Sequence, residues 1–163
     1  MKTRLLIMVM LTVSMTASSQ CYRGKGDRKL SIGMTFQDGG SGIQGIYDYG
    51  LGENMSIGAS GSFVLNPYRD LELRFEDKID VRFRFNANLG NVINVDRNFD
   101  FYPGLNLGIR NFGGHVGARY FFSRGFGMYT ETSFALARYK SGAKGRDLMN
   151  NQAMFVIGAC FSF

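Results

Sequence analysis

The stretch Ile79 to Leu89, "IDVRFRFNANL", sorts its side chains by parity. Ile79, Val81, Phe83, Phe85, Ala87 and Leu89 fall on one face, and Asp80, Arg82, Arg84, Asn86 and Asn88 on the other. A repeat of two is the signature of a β-strand lying between an apolar and a polar environment. The same alternation recurs along nearly the whole chain, with no helical period competing. That feature limits the fold to sheets with two unlike faces.

Leu30 to Gln37 sets Leu30, Ile32, Met34 and Phe36 against Ser31, Gly33, Thr35 and Gln37. Ile43 to Leu51 sets Tyr47, Tyr49 and Leu51 opposite Gln44 and Asp48, and Met55 to Leu65 sets Met55, Ile57, Phe63 and Leu65 opposite serines and glycines. Phe99 to Arg110 places Phe101, Leu105, Leu107 and Ile109 across from Asp100, Tyr102, Asn106 and Arg110. In His115 to Phe122, Val116, Ala118, Tyr120 and Phe122 oppose His115, Gly117, Arg119 and Phe121. Phe126 to Tyr139 and Ala153 to Phe163 complete the set. Turn chemistry separates the stretches: "DGGSG", "GEN", "NFGG", "SRG", and the longer polar loops "NPYRDLELRFED" and "KSGAKGRDLMNN". Composition agrees, with 22 glycines, 15 phenylalanines, 8 tyrosines and only 2 prolines. Eight strands, each able to pair antiparallel with its sequence neighbour, predict an all-β, up-and-down barrel.

The start of the chain reads differently. Met1 to Arg4 is basic, Leu5 to Val13 is apolar, and "SMTASSQ" offers the small residues of a cleavage site. This predicts a signal peptide over residues 1–19 and Sec-type export, followed by an N-terminal tail (20–28) and a barrel domain (29–163). Removing the signal peptide takes Lys2 and Arg4 out of the formal net charge of +6, and the remaining charges form no nucleic-acid stripe. After it, no apolar run is long enough for a transmembrane helix. Cys21 and Cys160 are too few for a disulfide scaffold; one bridge is open if the two ends meet, and free thiols are the expectation. No His or Cys spacing suggests a metal site, and no cofactor motif is present. A lipoprotein alternative would acylate Cys21, but Gln20 stands where a small residue is needed.

Two barrels share this pattern. A soluble periplasmic, lipocalin-like barrel points its apolar face inward around an apolar ligand, whereas a membrane barrel points it at lipid. The apolar face is bulky and essentially uncharged (Phe83, Phe85, Leu105, Leu107, Phe134, Leu136), and small residues crowd the polar face (Gly33, Gly58, Gly117, Gly127, Gly158). If the first strand runs outward from the periplasm, Tyr47, Tyr49, Phe101, Tyr120, Phe122, Phe126, Phe161 and Phe163 gather at the periplasmic rim as an aromatic girdle. These features favour an eight-stranded antiparallel transmembrane β-barrel in the outer membrane. "GNVINVDRN" is long for a periplasmic turn. The terminal "AMFVIGACFSF" runs to the rim, because a closed barrel needs its last strand paired with its first.

"FDFYPGLNLGIR", "GGHVGARYFFSRGFGMYTETSFALA" and the aromatic C-terminus resemble the small outer-membrane β-barrel family common in Bacteroidetes, of the OmpA/OmpX-like eight-stranded type. The match covers about the last 65 residues well and the first half by pattern alone. The resemblance implies a scaffold whose terminal aromatic is recognised by the barrel-assembly machinery. It implies no chemistry.

The lumen face carries Asp48, Asp80, Arg82, Arg84, Arg110, Arg119 and Glu131, with Asn86, Asn88, Asn106 and Tyr129. Unpaired charges in so narrow a space are costly, so arginines and carboxylates should interlock and plug the barrel. Arg119 and Glu131 lie near the "SRG" turn on adjacent strands and are expected to pair. A gated narrow pore is the sharper alternative. A lipid-modifying enzyme would use His115, the single histidine, expected on the lumen face near the outer rim, yet no serine lies within two positions of it. "GKG" lacks the spacing of a phosphate loop. Lys140, Lys144 and Arg146 either meet lipopolysaccharide phosphates or simply solvate a loop. The expected role is structural or surface-interactive, with outer-membrane lipid, lipopolysaccharide and a larger envelope complex as partners.

Overall fold

The computed structural model describes residues 20–67, 74–139 and 149–163. The expected signal peptide, the middle of the "NPYRDLELRFED" loop, and Lys140, Lys144 and Arg146 lie outside the described residues.

Eight strands form one closed antiparallel barrel in sequence order. They are β1 (Arg28–Gln37), β2 (Gly40–Gly50), β3 (Met55–Pro67), β4 (Ile79–Ala87), β5 (Phe99–Gly108), β6 (Asn111–Phe121), β7 (Phe126–Arg138) and β8 (Met154–Ser162). Two single-turn helices, α1 (Phe75–Lys78) and α2 (Gly90–Ile93), sit in the connections before β4 and β5. β8 pairs with β1 from Lys29↔Ser162 to Gln37↔Met154, and this register closes the sheet. The Phe163 amide donates to the Arg28 carbonyl at 3.1 Å, so the last residue is tied to the rim. The start of β1 and the end of β8 share one mouth, here called proximal; the other is distal.

Parity marks which face a residue takes, but not where pairing stops. "DGGSG" reduces to a two-residue turn, Asp38-Gly39, because Gly40 already pairs with Gln37. Gly39 supplies the left-handed φ of +89° that closes it. "NFGG", expected as a turn, is the start of β6: it pairs with β7 through a bulge between Phe112 and Gly113. The turn before it falls instead on Ile109-Arg110. The long "GNVINVDRN" connection is taken up by α2, which Asn94 ends in a left-handed conformation (φ +50°).

The barrel is inside-out relative to a soluble domain. Ile32, Met34, Phe83, Phe85, Leu105, Leu107, Phe134 and Ile157 are exposed on the outer wall, Phe83 to 68%. Asp48, Asp80, Arg82, Arg84, Asp100, Arg119 and Glu131 are buried within. Among the described residues no helix is long and apolar enough to cross a membrane, which says nothing of strands.

Candidate functional site in the barrel interior

At mid-height two arginines enclose Tyr102. The Arg119 guanidinium lies 4.2 Å from the centre of that ring and Arg84 lies 5.9 Å from it. Arg84 meets Glu131 twice, Nη1 to Oε1 at 3.1 Å and Nη2 to Oε2 at 2.6 Å, while its Nε is 3.3 Å from Asp48 Oδ1. Arg119 donates from Nε to Asp100 Oδ2 at 3.0 Å, from Nη1 to Asp48 Oδ2 at 3.4 Å and from Nη2 to Asn88 Oδ1 at 2.7 Å. Asp48 therefore joins the two halves. Asn86 tightens the joint, donating to Asp48 Oδ1 and to Ser56 Oγ, each at 3.0 Å.

The expected Arg119–Glu131 pair does not form. β6 and β7 are registered so that Arg119 opposes Tyr129 and Glu131 opposes Gly117. The absence of a side chain at Gly117 gives Tyr102 its place: a Cβ there would collide with the Tyr102 ring. The ring thus occupies the diagonal between Arg119 and Glu131; Glu131 reaches across the barrel to Arg84, while Arg119 takes Asp100, its register partner on β5, and Asp48 across the lumen. Counting turn distance along one hairpin missed partners on non-neighbouring strands.

The distal layer is built on Arg82. Its Nε is 2.5 Å from Asp80 Oδ2, Nη1 donates to Ser133 Oγ at 3.2 Å, and Nη2 donates to the Asn150 carbonyl at 2.6 Å. Asn150 also exchanges two bonds with the Gln37 amide group, at 2.9 and 3.1 Å. Asn111 donates to Asn151 Oδ1 at 2.8 Å. Met149, Asn150 and Asn151, in the connection before β8, are buried and fill the distal mouth. Arg110 is not part of the lumen network. It lies beyond the end of β5 and reaches α1, with Nη2 donating to the Glu76 carbonyl at 2.6 Å and Nη1 3.7 Å from Asp77 Oδ1.

The proximal layer uses the tail. Lys29 pairs with Asp27 and lies over the rings of Tyr22 (5.4 Å) and Phe121 (5.6 Å). The Tyr22 hydroxyl donates toward the Met55 carbonyl at 2.5 Å and the Gly52 carbonyl at 2.9 Å. The Cys21 amide donates to the Arg97 carbonyl at 2.7 Å, and Gly26 and Asp27 exchange backbone bonds with Gly50 at 2.8 Å. The tail is folded across the mouth as a plug. Burial pushes the Cys21 thiol up to about 12, with Arg119 pulling the other way. Burial first and Asp27 second push the Tyr22 hydroxyl up to about 12.

Cys21 and Cys160 are both free and buried. The Cys21 thiol points toward the Arg119 carbonyl at 3.8 Å, and Ser31 Oγ donates to Cys160 Sγ at 3.1 Å.

His115 is not near the outer rim. It sits mid-strand, opposite Gly104 and Ser133, 1% exposed, with Nε2 2.8 Å from Asn86 Oδ1. Ser133 is engaged by Arg82, as described above. Tyr129 also points inward, and neither its hydroxyl nor His115 Nδ1 has a protein partner among the described residues. No cluster of three His, Cys, Asp or Glu side chains among the described residues is placed to hold a metal. Among the described residues the charged groups at the centre are ion-paired, with Asp48 shared by both arginines, and sealed from solvent.

On the outer wall, Tyr120, Phe122, Phe126 and Phe161 form a chain of rings at the proximal rim, with centroid spacings of 5.5, 6.3 and 5.6 Å. Tyr47, Tyr49, Phe101 and Phe163 stand at the same end. The distal rim carries aromatics too, a feature parity alone did not isolate. Phe36 opposes Phe155 directly, and Phe63 and Phe75 pack at 6.1 Å.

Asp100, Tyr102, Asp27, Lys29 and Asn150 complete the network but were not among the expected site residues. The first two had the right parity and were legible. Asp27 and Asn150 lie outside the strands, where parity has no meaning. The sequence also matches, over residues 12–163, the protein family described as "Family of unknown function (DUF6646)". The chain belongs to that family. No curated protein matches it in sequence.

Proposed function

We propose that this chain is an integral outer-membrane β-barrel with a structural or surface-interaction role and a lumen closed by its own side chains. The observation that carries the reading is the distribution of polarity: oily side chains cover the outer wall of all eight strands while arginines and carboxylates fill the middle. Exposed apolar surface on this scale has no use in water. On β3 the apolar face runs from Met55 to Leu65. At about 3.3 Å per residue and a tilt of about 45°, that is a band about 23 Å tall, close to the height of a bilayer's hydrocarbon layer. Aromatic rings at both rims fit the two interfaces.

The lipocalin-like alternative needs the reverse arrangement, an apolar cavity with a wet exterior, and the inward charges argue against it. A pore is disfavoured because the tail closes one mouth, Met149 to Asn151 close the other, and ion pairs fill the space between. A lipid-modifying enzyme needs its histidine at the lipid or solvent boundary, and His115 is enclosed. On this reading the partners are outer-membrane lipid, lipopolysaccharide at the distal loops, the barrel-assembly machinery through β8, and a larger envelope complex. The resemblance to small Bacteroidetes outer-membrane barrels points the same way.

The deciding experiment is folding from urea into lipid vesicles, read as a band that migrates faster on a cold gel than after boiling and that resists protease. A chain that stays soluble and monomeric without detergent would overturn the reading. Planar-bilayer recordings test the closed lumen, with no conductance expected.

A further inference from the structure

The proximal mouth exposes five cations, Arg23, Lys25, Arg28, Arg97 and Arg124, against two acids, Glu53 and Asp96. Among the described residues none of the five is ion-paired. Asp96 is already engaged by the Tyr120 hydroxyl at 3.3 Å and the Asn98 amide at 2.9 Å. Like charges gathered this way raise one another's energy until an anion settles among them. The fold holds them there. Arg23 Nη2 donates to the Arg124 carbonyl at 3.0 Å, and the Arg97 carbonyl anchors the tail at Cys21.

Three of the cations stand at the rim of the wall, Arg28 at the start of β1 and Arg97 and Arg124 in the connections, each close in sequence or register to an aromatic residue of that end. Arg28 opposes Tyr49, and its carbonyl receives the Phe163 amide. Arg124 occupies the turn between Phe122 and Phe126. Arg97 precedes Phe99 by two residues, and Phe99 opposes Tyr120. Amphipathic rings settle at the boundary of hydrocarbon and headgroup, and a cation one step further out reaches the phosphates.

We infer that this rim binds the phosphates of anionic phospholipids in the leaflet on the side of the chain ends, through Arg28, Arg97 and Arg124, with Arg23 and Lys25 adding to the field. The inference rests on the membrane reading above. A lipid leaflet is favoured over an acidic protein because the three wall cations are spread around the circumference, on β1, the β4–β5 connection and the β6–β7 turn. A leaflet meets the whole circumference, whereas a protein partner meets one sector.

The test uses the full mature chain folded into vesicles of phosphatidylcholine alone and of phosphatidylcholine with phosphatidylglycerol at 7:3. Lipids retained after gentle extraction are counted by native mass spectrometry. A basic residue near an anionic surface is worth about fivefold in affinity, so the ratio of phosphatidylglycerol to phosphatidylcholine among the retained lipids should exceed that of the bilayer about tenfold or more. The preference should vanish in Arg28→Gln/Arg97→Gln/Arg124→Gln and return in the matching lysine variant, with folded gel migration unchanged in both. Insertion into both vesicles with no preference for either lipid overturns the rim assignment and leaves the membrane reading standing. Failure to insert into either kind overturns both.

Discussion

Arg84 on β4 and Glu131 on β7 grip each other across the barrel, Nη1 to Oε1 at 3.1 Å and Nη2 to Oε2 at 2.6 Å, with both side chains sealed from solvent. In such a setting the loss of Arg84 alone costs more than the loss of both, because Glu131 is left a buried charge without a counter-ion, whereas Arg84 stripped of Glu131 keeps Asp48. Arg84→Met, which strands Glu131 while Asp48 keeps Arg119, should cost about 3–5 kcal/mol of folding stability, and the double change Arg84→Met/Glu131→Leu should recover most of it. Urea midpoints of vesicle-folded protein, read from the folded and unfolded gel bands, measure both. Equal losses in the single and double variants would show that the pair is not a unit.

The tail plug should be sensitive to alkali. The Cys21 thiol and Tyr22 hydroxyl, both pushed up to about 12 by burial, stay neutral while the tail is docked. Released into water they ionise near their ordinary values of about 8.5 and 10. A raised folded value contributes stability that is complete below the ordinary value and lost as pH climbs toward the folded one. Tail release should therefore rise between about pH 9 and 12. With Cys160→Ser as background, alkylation of Cys21 should be slow at pH 8 and climb steeply across that window, beyond the gain a model thiol shows. Tyr22→Phe removes the hydroxyl bonds to Gly52 and Met55 and, at about 1 kcal/mol, should raise alkylation at pH 8 about fivefold.

Particular residues show how far the sequence could be read. The alternation in Ile79 to Leu89 was enough to place Asp80, Arg82 and Arg84 on the same face of β4, because parity depends only on the chain itself. Which acid meets which arginine depends on curvature and on strands far apart in sequence; Arg84 and Glu131 are joined only when the barrel closes. Lys29 stands just before the first expected strand, and its partners Asp27, Tyr22 and Phe121 come from segments with no shared period. Arg110 had lumen parity, but the strand ended before it, and α1 offered a nearer acid in Asp77.

The closing seam should be the least tolerant part of the wall. Gly33 on β1 and Gly158 on β8 face each other, and a Cβ on Gly158 would strike the backbone of Ile32 and Gly33. Backbone cannot swing aside as a long side chain can, so Gly158→Ala should cost about 1–3 kcal/mol and slow folding into vesicles. Gly45 and Gly61 form the control: they face each other on the outer wall, where an added Cβ meets nothing within 4 Å. Gly45→Ala should change stability by less than about 0.5 kcal/mol. Similar costs at both positions would mean that β1–β8 closure is not what limits this wall.

A single arginine scan of the outer face separates hydrocarbon from water. Phe83 lies at the centre of β4, between Ala59 and Leu107, while Leu65 lies near the distal edge of the same wall. In a bilayer an arginine at the midplane costs about 2–4 kcal/mol, falling to about 0–1 kcal/mol at the interface. Phe83→Arg should therefore be strongly destabilising and Leu65→Arg nearly silent, although both positions are highly exposed, 68% and 59%. In water the same substitutions would exchange exposed oil for exposed charge, and neither should move stability by more than about 0.5 kcal/mol. Exposure alone cannot produce a cost that depends on height along the barrel. Urea midpoints for both variants in vesicles, with Ile157→Arg as a second mid-height position on β8, opposite Met34 and Thr130, give that profile directly. A flat profile near zero would put the wall in water, and the rim of arginines would then have no leaflet to meet.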